Sequence, residues 1–449
     1  MPVKSPRPNP IEPRWVRAAP VPVFAIFSRR STRFVVQTSR PELPATRDRL
    51  FSRQRCTETL WKEVPGPMLS TDDRRLEPFD WYRSMRASTP VLYDPGRDCW
   101  SVFRYDDVQR VLSEHATFSS RFPHAEASAD YPLDASLIST DPPRHRQLRA
   151  LVSQAFTPRA IAQLEPRITA IAHELLDRVV DAGRMDLVAE FSDPLPVIVI
   201  AELLGIPPAE RDQFKRWSDA LVSDVEGNVQ PAMSQYFHQA IAEHRRRPRN
   251  DLIGALLAAE IDGERLSEVE LLGFCTLLLV AGNVTTTNLI GNAVLCFDET
   301  PGVMERLRAE RALLPDVVEE VLRYRSPVQS MFRYAAVDSR IGDQEIRAGQ
   351  TVIAWIGSAN RDDAQFAAPD RFDVARRPNR HLAFGQGVHF CLGAPLARLE
   401  AKVALTALLD RLSEVKRDRS VPLEALDSSI VYGVRHLPIT YLTPTVHER

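Results

Sequence analysis

His381-Leu382-Ala383-Phe384-Gly385-Gln386-Gly387-Val388-His389-Phe390-Cys391-Leu392-Gly393 is the stretch on which the reading of this chain turns. Gly385 and Gly387 alternate with other residues before the cysteine, and Gly393 follows it. Glycine reaches φ > 0 and lets the backbone approach a flat ligand closely. From Ala394 to Leu412, apolar residues recur at Leu396, Leu399, Val403, Leu408 and Leu412, the spacing of a helix with one apolar stripe. Cys391 therefore stands at a helix N-terminus, where the dipole and free N–H groups stabilise a thiolate.

Three chemistries compete for such a cysteine. A lone cysteine is most often a buried apolar residue. Cys391 with His389 is also a nucleophile with a base in reach of it. Residues two apart at a helix start do not face each other, however, and no third orienting group is evident. A tight loop that offers a thiolate to an open face suits the axial position of haem iron, and the glycine spacing favours this reading.

Composition bounds the rest. With 449 residues, 44% apolar and 26% charged, the chain is globular, with room for one large domain or two to three ordinary ones. A net charge of −2 gives no overall field that draws it to nucleic acid. The five cysteines are few, odd in number and widely spread, which argues for a reducing compartment and against a disulfide framework. Of the 57 basic residues only five are lysine, which with 35 prolines fits a GC-rich, bacterial coding sequence.

Residues 1–67 stand apart, with 13 basic and 5 acidic side chains and 11 of the prolines. No helical or alternating apolar period survives there, so disorder is the expectation. Ser28-Arg29-Arg30 is followed by too short an apolar run for an export signal, and Glu12, Glu42 and Asp48 fit a transit peptide poorly. The preferred reading is an extension outside the native start, with a single domain over residues 68–449.

Within that domain, Leu76-Glu77-Pro78-Phe79-Asp80-Trp81-Tyr82 leads into a short helix, and most of residues 143–325 is expected to be helical. Strands are expected at Val91-Leu92-Tyr93, Trp100-Ser101-Val102-Phe103, Thr351–Trp355 and Ile430-Val431-Tyr432. Thr140-Asp141-Pro142-Pro143 should cap and open a helix. Leu271 to Phe297 is 27 residues without a charge, long enough to span a bilayer. Its centre holds Asn283, Thr285, Thr286, Thr287, Asn288 and Asn292, which are costly in lipid, so a central helix of a large domain is the better reading.

The run from Phe384 to Gly393 resembles the haem-binding signature of cytochrome P-450 enzymes, and the likeness extends from Phe79 to Leu442. Glu320-Val321-Leu322-Arg323 resembles the family's Glu-x-x-Arg pair. Pro369-Asp370-Arg371-Phe372 resembles the segment whose arginine completes that charge cluster. The resemblance implies a mainly α fold with small β-sheets (α+β), haem lying between a long central helix and the cysteine-ligand helix. It implies haem b with Cys391 as axial thiolate, in a loop built by Phe384, Gly385 and Gly393. His145 and Arg149, four apart on one helix face, with Arg333 and His389, match the family's propionate contacts. Ala281-Gly282-Asn283-Val284-Thr285-Thr286 matches the oxygen-activating helix, Gly282 leaving room for dioxygen and Thr285 supplying a hydroxyl. Where relatives carry an acid, this sequence has Val284.

The activity implied is mono-oxygenation of a C–H bond or C=C in a small hydrophobic substrate such as a fatty acid, terpenoid or steroid. Electrons come from NAD(P)H through a ferredoxin reductase and a ferredoxin, and O2 is the co-substrate. Arg146, Arg398 and Lys402 are candidates for the docking face. Pocket walls are expected from Phe122–Ile138, Ala220–Gln239, Leu277, Leu278, Val328–Phe332 and Ile430–Tyr432. A cytoplasmic monomer of the soluble bacterial type, with no membrane span, completes the expectation. A peroxide-driven peroxygenase is the alternative that Val284 motivates, although the Arg-Pro pair typical of that group is missing. A haem protein that senses without turnover is a third.

Overall fold

The longest helix, Glu268–Glu299, starts where Ser267 Oγ accepts the Glu270 N–H at 3.4 Å and the Glu270 carboxylate takes the Ser267 N–H at 2.8 Å. That reciprocal capping box satisfies two of the donors a helix start leaves free. In this computed structural model residues 75–443 are described, apart from 96–97, 122–131, 223–228, 262 and 429. They belong to one compact unit. The expected extension over residues 1–67 lies outside the described residues, as do Gly96 and Arg97 between the first two expected strands.

The long helix has a mean hydropathy of 1.6 over its most apolar window. It is wrapped by the helices Pro194–Leu203, Arg211–Val222, Gln230–Arg246 and Ala394–Arg411. Two of its asparagines find partners inside the fold, whereas the Asn283 amide and the Thr276 and Thr287 hydroxyls are buried without one. Asn288 Nδ2 donates to Val284 O at 2.7 Å, and Asn292 Nδ2 donates to Arg325 O at 3.0 Å and Tyr432 O at 3.4 Å. The helix is the centre of the largest apolar cluster, as its charge-free sequence predicts.

A five-stranded sheet flanks this helical body, in the order Val91–Asp94, Cys99–Val102, Thr351–Trp355, Ser330–Ala335, Phe118–Ser119. Cys99–Val102 and Thr351–Trp355 run parallel and the other pairs antiparallel. Met331 pairs with Ala354 and Arg333 with Val352. Two residues apart on one strand, Met331 and Arg333 share a face, and both reach the cavity described below. The Ile430–Tyr432 strand is not formed: only a single bridge joins Val431 to Val328. Its backbone is instead tied to neighbouring segments by Ile430 O to Gln329 N–H and Tyr432 N–H to Pro327 O.

Helix Leu314–Tyr324 carries Glu320 and Arg323, both fully buried. Arg323 Nε and Nη2 each donate to the Glu320 carboxylate at 2.8 Å. The third member of the cluster is Arg376, whose Nε reaches Glu320 Oε1 at 3.1 Å, and not Arg371. The Arg371 side chain turns outward to Asp373 at 2.7 Å, and only its carbonyl serves the cluster, accepting from Arg323 Nη2 at 3.2 Å. Asp373 N–H and Asn379 Nδ2 fill the remaining lone pairs of Glu320. A buried ion pair holds only when its other hydrogen-bonding capacity is also satisfied, and here it is.

This cluster positions the cysteine loop. Arg323 Nη1 donates to Asn360 O at 2.9 Å, and Asn360 Oδ1 accepts the Leu382 N–H at 2.7 Å, where the loop begins. At its far side, Glu319 receives Arg398 Nε at 2.6 Å and Nη2 at 2.8 Å, and His381 Nε2 lies 3.1 Å away. Burial would raise the Glu319 pKa, yet the Arg398 and His381 hydrogen bonds hold it down at about 2.

Candidate active site

The loop from Leu382 to Gly393 closes on itself. Gly385 N–H donates to Leu382 O at 2.8 Å and Cys391 N–H to Phe384 O at 2.9 Å. The path needs φ of +73° at Gly385 and +71° at Gly387. At Gly387 a Cβ would also lie 2.9 Å from the Ser113 Cα, so both conformation and space select glycine. The Arg398 guanidinium stacks 4.5 Å over the Phe384 ring, fixing the loop from its outer side. That engagement, with the Glu319 ion pair, makes Arg398 a loop support and not an open docking cation. Lys402 is likewise committed, to Glu165 at 3.0 Å, whereas Arg146 is exposed.

Between this loop and the long helix lies a cavity of about 260 Å³. Cys391 is on one wall, and Ala281, Gly282, Thr285 and Thr286 are on the opposite one. Burial raises the Cys391 thiol above its ordinary pKa, and the N–H groups of Gly393 and Ala394 act against this without overcoming it. The helix start alone therefore does not make Cys391 a thiolate; a metal ion would, because a coordinating thiol is deprotonated outright.

One end of the cavity gathers basic side chains. Helix Arg144–Ala155 brings His145 and Arg149 there, the five-stranded sheet brings Arg333 and the loop brings His389. The helix does not begin with the expected side-chain cap: it follows Pro143, and no side chain caps it. Asp141 instead accepts from the Ser119 hydroxyl and from the Ser120 N–H at 3.2 Å, and sits 3.4 Å from His389 Nε2. Burial would raise Asp141, but the His389 and Ser119 hydrogen bonds hold it at about 2.

His145 is buried, 4.4 Å from the His389 ring, and neither of its ring nitrogens has a hydrogen-bond partner. Burial, then the neighbouring His389 and Arg149, lower it to about 4, so at neutral pH it is an uncharged N–H donor. Burial lowers Arg333 to about 10, and among the described residues no carboxylate pairs with it. Its Nη1 donates to Phe332 O at 2.8 Å, and Arg149 Nη1 to Val388 O at 3.3 Å. Asp141 offsets part of the Arg333 burial cost from beyond ion-pair distance, but a buried cation without a direct ion pair and a buried imidazole without a partner are each costly. Two carboxylates at this end would relieve both, and a sulfur stands in the same cavity: the residues present fit haem.

The remaining wall is apolar, with Leu137, Ile138, Leu277, Leu278, Val328 and Met331 contributing. Ile430 and the described residues among 220–239 do not line it, and residues 122–131 and 223–228 lie outside the described ones. Thr285 Oγ1 donates to Ala281 O at 2.7 Å, one turn back along its own helix. Gly282 meets the Ile200 side chain: a Cβ there would lie 2.7 Å from Ile200 Cδ1. Its small size serves close packing of helix Pro194–Leu203 as well as space in the cavity.

The family described as Cytochrome P450 matches residues 60–205 and 211–434. The chain belongs to the cytochrome P450 family. It is 44% identical over 391 residues to cytochrome P450 109 of Bacillus spizizenii, covering 84% of this chain and 95% of that one. To erythromycin C-12 hydroxylase of Saccharopolyspora erythraea it is 42% identical over 392 residues, 84% and 96% of the two chains. The crystal structure of CYP109E1 from Bacillus megaterium in complex with testosterone superposes with a TM-score of 0.77 at 43% identity, over 82% of this chain and 98% of that one. This cytochrome P450 is accordingly a bacterial-type haem monooxygenase with a cysteine thiolate as the iron's axial ligand.

The residues proposed from the sequence for haem and dioxygen line the cavity of this P450: Thr285, Gly282, His145, Arg149, Arg333, His389, Phe384, Gly385, Cys391 and Gly393. Sequence reasoning missed Glu400, on helix Ala394–Arg411, which is buried on the same cavity wall. A signal was present. Glu400 falls four residues after Leu396 and three before Val403, inside the apolar stripe, where a carboxylate has no place unless something uses it.

Proposed function

We propose that residues 68–449 form one catalytic domain that hydroxylates or epoxidises a fatty-acid, terpenoid or steroid-sized apolar substrate. Cys391 supplies the thiolate to haem iron, and His145, Arg149, Arg333 and His389 take the two propionates. Haem bound there supplies reductive activation of dioxygen, thiolate donation favouring O–O cleavage. Phe384, Gly385 and Gly393 keep the sulfur at a fixed height by holding the loop closed. Gly282 leaves one wall low, and Thr285 offers its hydroxyl at the point where dioxygen must sit. Leu277, Leu278, Val328 and Met331 exclude water and take the substrate by burial of apolar surface.

The observation that carries this reading is the division of the cavity: four basic side chains at one end, His145 among them without a partner, a cysteine on the wall, and hydrocarbon elsewhere. That a relative's crystal structure holds testosterone supports the steroid-sized class. Electrons reach the domain from NAD(P)H through a ferredoxin and its reductase, and the protein works as a monomer in the cytoplasm.

The test is turnover of a panel of steroids, terpenoids and fatty acids by the purified holoprotein with ferredoxin, reductase and NAD(P)H. An oxygenated product that requires NAD(P)H and carries an atom of 18O from labelled dioxygen is expected. Equal product from hydrogen peroxide alone, with no use of NAD(P)H, would establish the peroxygenase alternative instead.

A further inference from the structure

Helix Pro194–Leu203 packs against the long helix through an apolar run that includes Ile200. Ile200 is buried and belongs to the largest apolar cluster. Among the described residues of its helix it alone also lines the cavity. It gets there past Gly282. A Cβ at Gly282 would lie 2.7 Å from Ile200 Cδ1 and 2.8 Å from Cγ1, so the Ile200 side chain fills the place that a side chain at 282 would take. On either side the wall is made by Ala281, Thr285 and Thr286 of the long helix itself. Where Gly282 opens that wall, the floor of the opening is a methyl-ended side chain from a different helix. Isoleucine is β-branched and keeps one χ1 rotamer in a helix, so its Cγ1–Cδ1 arm is held in one direction. The arm offers water no hydrogen-bonding partner.

We infer that Ile200 sets the depth of the dioxygen side of the cavity: its side chain, and not Gly282 alone, decides how much room a diatomic molecule has beside Thr285. The inference rests on the monooxygenase reading above. Thr285 stands three residues after Gly282 on the same face of the long helix, so a methyl group gained or lost at Ile200 changes the space near its hydroxyl. Close-packed interiors relax only in part when a buried group is cut back, and the rest of the lost volume stays open. A deeper floor would let a molecule the size of dioxygen settle away from that hydroxyl. A displacement of about 1 Å is enough to cost a positioned reaction much of its rate. Ile200 is thus a positioning residue that acts by volume, with no charge and no proton of its own.

The probe is carbon monoxide, a diatomic of similar size, on the reduced holoprotein. After a laser flash, the share of carbon monoxide that rebinds before it escapes should fall stepwise from wild type to Ile200→Val to Ile200→Ala. The infrared C–O stretch should shift and broaden in the same order. Gly282→Ala combined with Ile200→Val moves a methyl group from the floor to the wall, and should bring both readouts back toward wild type from Ile200→Val alone. An Ile200 that only packs two helices together would lower stability and leave both readouts unchanged, and that result overturns the inference. Should Ile200→Ala not fold, Ile200→Val, one methyl group smaller than wild type, decides by the same two readouts. A wild-type protein that gives no thiolate-type band with carbon monoxide counts against the function proposed above. Crystals of Ile200→Ala under xenon pressure then judge the floor by itself. Xenon in the space of the lost side chain and open to the cavity supports it; no xenon there, or xenon in a void closed off from the cavity, overturns it.

Discussion

Glu320 and Glu400 are the two glutamates buried among the described residues, and the fold treats them in opposite ways. Glu320 accepts two hydrogen bonds from Arg323 at 2.8 Å, one from Arg376 at 3.1 Å, one from the Asp373 N–H at 2.9 Å and one from Asn379 at 3.1 Å. Its charge is neutralised on every side, and the result is a rigid anchor from which Asn360 holds the cysteine loop. Glu400 has no arginine, lysine or backbone N–H on its carboxylate, and its Oε1 is without a partner. Burial with full compensation makes a structural part. Burial without it keeps a group poised between protonation states, which is costly to stability and useful at a reacting cavity.

The sharpest way to break this contrast is at the anchor. Glu320→Ala leaves the guanidinium of Arg323 buried without its counter-charge and should cost about 3–5 kcal/mol of unfolding free energy, read by chemical denaturation. Arg376→Ala should cost about 1–3 kcal/mol, because it strips one donor from the same carboxylate. Arg371→Ala, at an outward ion pair with Asp373, should stay within about 0.5 kcal/mol. Equal losses for Arg371 and Arg376 would contradict the cluster as described.

Glu400 predicts a pH dependence of the opposite kind. Its folded pKa is about 8, above the ordinary carboxylate value of 4.5. Between those values the folded chain keeps a proton that the unfolded chain releases, so stability falls as pH rises through that window. The slope is about 1.4 kcal/mol per pH unit from this one group. Glu400→Gln should flatten it, making the variant gain on wild type by a few kcal/mol as denaturation is moved from pH 5 to pH 8. Parallel curves for the two proteins would show that Glu400 ionises in the folded state at ordinary pH.

Smaller effects are expected at the cavity walls. Arg333→Met should stabilise the haem-free protein, since it removes a buried cation that no carboxylate pairs with directly, yet weaken haem retention by about tenfold to a hundredfold. Competition for haem with apomyoglobin reads the second half. Gly282→Ala pushes a methyl group against Ile200 and should cost about 1–3 kcal/mol, part of which Ile200→Val in the same chain restores.

The cysteine loop was legible in the sequence because its demands are local: positive φ at two positions, a close approach at Gly387, and a sulfur at a helix start. The long helix was legible from 27 residues without a charge. What could not be read depends on how distant segments meet. Arg371 and Arg376 are five residues apart in one irregular stretch, and only its path decides which side chain turns in toward Glu320. Asp141 looked like a helix cap, but the neighbouring Ser119 and Ser120 and the loop's His389 claimed its carboxylate first. The strand expected at Ile430–Tyr432 has apolar, β-prone residues but only one bridging partner, Val328. Its cavity role failed with it.

All of this hangs on Cys391 as the ligand of haem iron. The most direct test is the difference spectrum of the dithionite-reduced protein with and without carbon monoxide, beside the Cys391→Ser variant. The account predicts a strongly red-shifted Soret band in the wild type that the variant lacks. A wild-type band at the position of histidine-ligated haem, or the same spectrum from both proteins, would contradict it.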